Sequence, residues 1–168
     1  TTGATGTIKF NSTGATTLDN VDSSAGLTVK ADTLDIAHTA KTAGALGLTV
    51  AGGAQLGAID GGADVTVTAG SLTVGGAAHA AGTLDVTTAG ATQLGSAGAG
   101  GAMTVSGSSV AIDGLAKSGG AMALTATDTT LDVGSIEASG DVALSAKTKA
   151  TLGGVTATAQ AQDAAARA

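Results

Sequence analysis

Apolar and polar residues alternate along this chain in short bursts, and the bursts return at a nearly constant interval. The clearest are Ile8-Lys9-Phe10, Leu27-Thr28-Val29, Leu48-Thr49-Val50, Val65-Thr66-Val67, Leu84-Asp85-Val86, Met103-Thr104-Val105, Met122-Ala123-Leu124 and Val142-Ala143-Leu144. Their first residues stand 19, 21, 17, 19, 19, 19 and 20 positions apart. Alternation with period two marks a half-buried strand. Each burst is followed by a Gly-, Ala- or Ser-rich turn and a second apolar stretch, as in Leu34-Asp35-Ile36, Leu72-Thr73-Val74, Val110-Ala111-Ile112 and Leu131-Asp132-Val133. A weaker third segment comes next, at Val21, Ile59, Leu115, Ile136-Glu137-Ala138 and Val155-Thr156-Ala157.

Three short strands per 19-residue repeat describe one coil of a parallel β-helix, an all-β solenoid of about eight coils. A single unit cannot bury an apolar face alone, so it stacks on its neighbours. The pattern predicts two inward ladders. One runs Leu27, Leu48, Val65, Leu84, Met103, Met122, Val142, and the other Val29, Val50, Val67, Val86, Val105, Leu124, Leu144. Strands about 4.8 Å apart make the whole a rod of roughly 40 Å. The steps of 21 and 17 predict an enlarged turn over 40–47, compensated in the next coil. Glycines before strands, such as Gly26, Gly47, Gly101 and Gly140, are expected to supply positive φ at the corners. The solenoid is expected over 1–157. Residues 158–168 leave the rhythm, and Gln160–Arg167 has helix propensity, so a helical or disordered tail is expected there.

Composition narrows the picture. The chain has 168 residues, 28 of them Gly, with one Phe and no Trp, Tyr, Cys or Pro. Aromatic residues usually dominate core energetics, so this core must be thin and aliphatic. Only 12% of residues are charged and Thr and Val are abundant, which is not the composition of a disordered chain. The net charge is −6, and the seven basic residues form no stripe. That excludes phosphate-driven nucleic-acid binding, so no nucleic-acid partner is expected. Without Cys there is no disulfide or thiolate-metal chemistry. No apolar run is long enough to span a bilayer, so no membrane insertion is expected. No signal peptide stands at the start. The chain opens inside a repeat-like stretch and reads as a piece of something longer.

Candidate chemistry is sparse. His38 and His79 are 41 positions apart, about two coils, and read as exposed turn residues too distant to share a metal. Asp19, Asp35, Asp60, Asp85, Asp113 and Asp132 follow apolar strand positions. Asp113 and Asp132, 19 apart, are expected to stack on neighbouring coils. Such a pair could serve glycan hydrolysis or hold Ca²⁺. However, the aromatic platforms of sugar clefts are missing, and outward charge also keeps a flat β surface from pairing sideways. Gly114-Leu115-Ala116-Lys117-Ser118 lacks the P-loop spacing and reads as an ordinary turn. Thr28, Thr49, Thr66 and Thr104 form an outward column, interrupted by Asp85, that raises the alternative of an ice-binding surface. No residue is assigned a catalytic, cofactor-binding or metal-binding role, no cofactor is expected, and the chain is read as non-enzymatic.

The units Gly101-Ala102-Met103-Thr104-Val105-Ser106-Gly107 and Gly82-Thr83-Leu84-Asp85-Val86, with Gln93-Leu94-Gly95-Ser96-Ala97, resemble the repeats of filamentous haemagglutinin and of related two-partner-secretion exoproteins of Gram-negative bacteria. The resemblance covers about residues 6–157 and rests on repeat style. It implies a right-handed parallel β-helix that is a shaft segment of a secreted, surface-exposed filamentous adhesin. Its parent would be exported through an outer-membrane secretion partner and would meet a host-cell receptor or glycan. An Asn-Pro-Asn-type secretion motif is excluded by the lack of Pro. The alternatives are the shaft of a contact-dependent growth-inhibition toxin, an autotransporter passenger, and behind these a glycan-cleaving β-helix.

Overall fold

The computed structural model describes residues 2–4, 6–157 and 161–162, the first and last of these stretches as backbone only. It is an all-β parallel solenoid of about eight turns. Each coil contributes a strand to three faces in turn. The first face starts at Ile8–Asn11 and Leu27–Ala31, the second at Ala15–Leu18, and the third at Thr2–Ala4 and Val21–Ser23. Some strands run through the corners without a break, as in Leu46–Gly61 and Val65–Ala80. Peptide groups at the corners also bond to the coil below. Gly52 N–H donates to the Asp32 carbonyl at 2.7 Å and Gly100 N–H to that of Ala80 at 2.9 Å. The coil-to-coil ladder therefore continues round the circumference.

On the first face Ile8 is in register with Leu27, Leu27 with Leu46, Leu46 with Val65, Val65 with Leu84, Leu84 with Met103 and Met103 with Met122. Each of these partners is 19 positions further on, and only the last step, Met122 to Val142, is longer by one. This corrects the expected ladders. Leu46, not Leu48, continues Leu27; Leu48 stands above Val29, and Val50 above Ala31. The enlarged turn over 40–47 does not exist. In Leu46-Gly47-Leu48-Thr49-Val50 three apolar positions alternate, and sliding by two keeps inside and outside unchanged. Only contact with the neighbouring coils distinguishes the two alignments.

The second face turns Leu34, Ala54, Leu72, Thr92, Val110 and Leu131 inward as one ladder. The third does the same with Val21, Ala40, Ile59, Ala78, Ala97, Ala116 and Ile136. Most of the third ladder is alanine, which keeps the tube narrow. Ala116, and not Leu115, takes the inward place in its coil; Leu115 pairs with Ser135 one position away. Phe10 is only partly buried against the core. Five buried hydroxyl residues stand among the aliphatics: Ser23, Thr42, Thr88, Thr92 and Ser118. Four of them donate to a nearby turn carbonyl, as Thr42 to Gly44 at 2.7 Å and Ser118 to Gly120 at 2.8 Å. Thr88 bonds Gly90 at 2.8 Å and shares a 2.7 Å hydrogen bond with Thr92 across the corner. Among the described residues no buried side-chain polar atom lacks a partner.

The glycines serve a different end from the one expected. No glycine among the described residues has positive φ. At the corner between the second and third faces the backbones of successive coils pass closely. A Cβ on Gly57, Gly134 or Gly153 would run into the carbonyl of His38, Asp113 or Gly134 below it. Glycine stands there because a side chain has no room, not because the chain needs a left-handed turn. The tail expected over 158–168 lies outside the described residues, apart from the backbone of Ala161–Gln162, which pairs in parallel with Val142 and Ala143.

Candidate functional site

The outward side chains form columns with one residue per coil. On the third face one column reads Asp22, Lys41, Asp60, His79, Gly98, Lys117, Glu137 and Thr156. Its members lie one strand spacing apart, about 4.8 Å, because each sits at the same point of its coil. Lys41 Nζ is 3.4 Å from an Asp60 carboxylate oxygen, His79 Nδ1 is 3.4 Å from the other, and Lys117 Nζ is 3.0 Å from Glu137. The partners are about half exposed or more, the regime in which an ion pair contributes about 0.2–1 kcal/mol. The signs run negative, positive, negative from Asp22 to Asp60, then pass the His79 ring and the gap at Gly98 to positive and negative at Lys117 and Glu137. Hydropathy alone does not reveal this ladder, although positions 22, 41, 60, 79, 98 and 117 carry the same 19-residue step as the apolar strands.

The histidines are strand residues, not turn residues. His79 belongs to the ladder, while His38 stands at the corner with Nδ1 2.9 Å from Asp19 Oδ1. They occupy different columns. Asp113 and Asp132 do not stack: Asp132 pairs with Ala111 below and Thr151 above, and Asp113 turns the corner. Between these coils the step is 19 on the first face but 21 on the second, because the corner joining the two faces is longer by two residues, so a spacing of 19 does not place Asp113 and Asp132 in one column. Among the described residues no group of three or more His, Asp or Glu could hold a metal ion. The stretch Gly114–Ser118 is extended strand, with Lys117 outward on Glu137 and Ala116 buried.

The hydroxyl column is also rearranged. Thr28 and Thr66 flank Gly47, and Thr66 and Thr104 flank Asp85. Thr49 belongs to the next column, which is unbroken: Thr49, Thr68, Thr87, Ser106, Thr125 and Ser145. A single complete line beside an interrupted one is not a two-dimensional array, and Thr is also a favoured exposed strand residue. At the corner after the first face, over the early coils, lies an open groove of about 540 Å³ lined by Ser12, Lys30, Asp32, Thr49 and Thr68 among others. It is shallow and open to solvent.

Asp64 accepts hydrogen bonds from the coil above it. Thr83 of the next coil donates to its Oδ1 through the backbone N–H at 2.8 Å and the hydroxyl at 3.0 Å. Those bonds, the backbone one foremost, hold its carboxyl below the ordinary value of 3.8. A lowered folded pKa adds stability that is present above the ordinary value and is lost as pH falls through the folded one. Asp64→Asn should therefore lower stability slightly at neutral pH and flatten the acid limb of the stability curve below about pH 4, where the two chains converge. Acid titrations followed by circular dichroism and carboxyl NMR would show it; an Asp64 midpoint at or above 3.8 would contradict the assignment. No family model, curated protein or solved structure matches the chain, so a functional reading rests on the stacked coils and the side-chain columns themselves.

Proposed function

We propose that this chain is a structural shaft segment of a secreted, surface-exposed filamentous adhesin, holding attachment domains away from the exporting cell so that they reach host or neighbouring cells. The observation that carries the proposal is the coil stack itself, in which a nearly constant step along the chain builds a rod whose length scales with repeat number. In such a quasi-one-dimensional fold each coil is stabilised mainly by its neighbours, so a long spacer needs no special residue. The repeat style, which resembles that of filamentous haemagglutinin, supports the same reading and implies export of the parent through an outer-membrane partner. The role is mechanical and non-enzymatic.

The test uses the parent displayed on cells. Removing whole coils should keep attachment and shorten the reach by about 4.8 Å per coil, measured by single-molecule force microscopy. The isolated segment, coated on beads, should confer no attachment, and mixing it with polysaccharides should release no new reducing ends. Saturable binding by the isolated segment would make it a recognition module instead. Glycan cleavage that disappears in Asp113→Asn/Asp132→Asn would make it an enzyme.

A further inference from the structure

We propose that the third face is a self-complementary surface on which two copies of this chain pair side by side and antiparallel, about a two-fold axis that passes between the His79 and Gly98 rungs. A two-fold contact requires that whatever residue i meets, its counterpart meets in return. In the charge ladder this holds rung by rung. Reversing the column about that midpoint brings Lys41 to the partner's Glu137, Asp60 to the partner's Lys117, and His79 to the partner's Gly98. Each contact occurs twice. Asp22 faces the uncharged Thr156 at the ends. No rung meets its own sign.

The shapes agree with the charges. Gly98 leaves its rung without a side chain, and within 4 Å of where a Cβ would stand there is only the Cδ2 atom of its own His79, at 3.3 Å. His79 is the ring of the column, so the bulky rung of each copy meets the empty rung of the other. Beside the central rungs the flanking positions are small and uncharged, Ala58, Ala77 and Ser96 on one side and Gly62, Ala81 and Gly100 on the other, while the half-buried Leu115 flanks Lys117. Beside the His79 and Gly98 rungs nothing holds the two sheets apart. The shared column spans seven strand spacings, about 34 Å, in a strip roughly 10 Å wide. That is well under the area of a standard stable interface. The pairing is therefore weak, salt-sensitive and suited to rods already held close together. It is independent of the shaft proposal, which stands whether or not the rods pair.

Charge exchange across the axis tests it. Lys117→Glu places two like-charge contacts, with Asp60, in its homodimer; Asp60→Lys does the same with Lys117. Mixed together, the two variants restore opposite signs at both contacts. Sedimentation equilibrium at low salt should show weak association of the unaltered chain and a loss of ~10-fold or more in each variant alone, with recovery in the mixture. Circular dichroism checks that both variants fold. As a second readout, a nitroxide on Ser135→Cys, mixed with unlabelled ¹⁵N chain, should broaden the amide of Thr39 and its neighbour Lys41 in the other copy and spare Glu137. An unaltered chain that stays monomeric at millimolar concentration, variants that associate as well alone as mixed, or broadening at Glu137 would each overturn the proposal.

Discussion

Leu84→Asp should abolish the cooperative folding of the rod, whereas Asp85→Ala, one residue away, should be nearly silent. Leu84 is 1% exposed and stands in the inward ladder between Val65 below and Met103 above. A carboxylate there has apolar neighbours on both sides and no partner. Leaving such a group ionised and buried costs far more than the ~1–3 kcal/mol of an unsatisfied neutral group. Total stabilities are only about 5–15 kcal/mol. The side chain cannot escape by slipping one position, because that would turn every residue of the strand over. Leu84→Ala should fall between the two, at about 2–5 kcal/mol. Asp85 points outward between Thr66 and Thr104, and its replacement should stay within about 0.5 kcal/mol. Thermal melts of the three variants by far-UV circular dichroism decide the matter. Comparable melting of Leu84→Asp and Asp85→Ala would mean that the strand faces the other way.

Deleting residues 82–100 should leave a folded, shorter rod, and deleting residues 82–90 should destroy it. The first deletion removes one step of 19, and Gly101 then follows Ala81 in the place of Gly82. Leu84 and Met103 are in register, so the lost strand is replaced by its equivalent, and Met103 comes to stand on Val65. The second removes the first-face strand of one coil and leaves its second-face strand, including Leu94, where a first-face strand should run. The stack above then loses its register. In a solenoid, stability is a sum of coil and neighbour terms, so a missing coil lowers the total while an unmatched one breaks it in two. The expected result is retention of the β spectrum and a cooperative melt in the whole-coil deletion, and loss of both in the shorter one. Collapse of the whole-coil deletion would indicate a closed structure in which each coil has a unique partner.

The parallel β-solenoid was legible from alternation and the 19-residue period. Strand triplets such as Leu84-Asp85-Val86 state which side is inside through local chemistry alone, since apolar and polar neighbours must point to opposite faces of a strand. The same period holds the charge ladder, which is harder to read because a surface charge lacks the local apolar signal that marks a strand.

What the sequence determined by itself was therefore the parity of the first-face and second-face strands and the approximate size of the coil; on the third face it offered Leu115 where Ala116 turns inward. The tertiary structure decided what parity cannot. It placed Leu46, not Leu48, on Leu27, because a shift of two leaves the inside unchanged and only the fit to the coils above and below tells the alternatives apart. It separated Asp113 from Asp132, because a longer corner between the first and second faces makes the step there 21 and changes which residues share a column. It gave Gly57 and Gly134 their reason, the close passage of one backbone over another, which no local conformational preference could have revealed. And it brought Lys41, Asp60 and His79 into one line, since residues 19 positions apart become neighbours only once the coils are stacked.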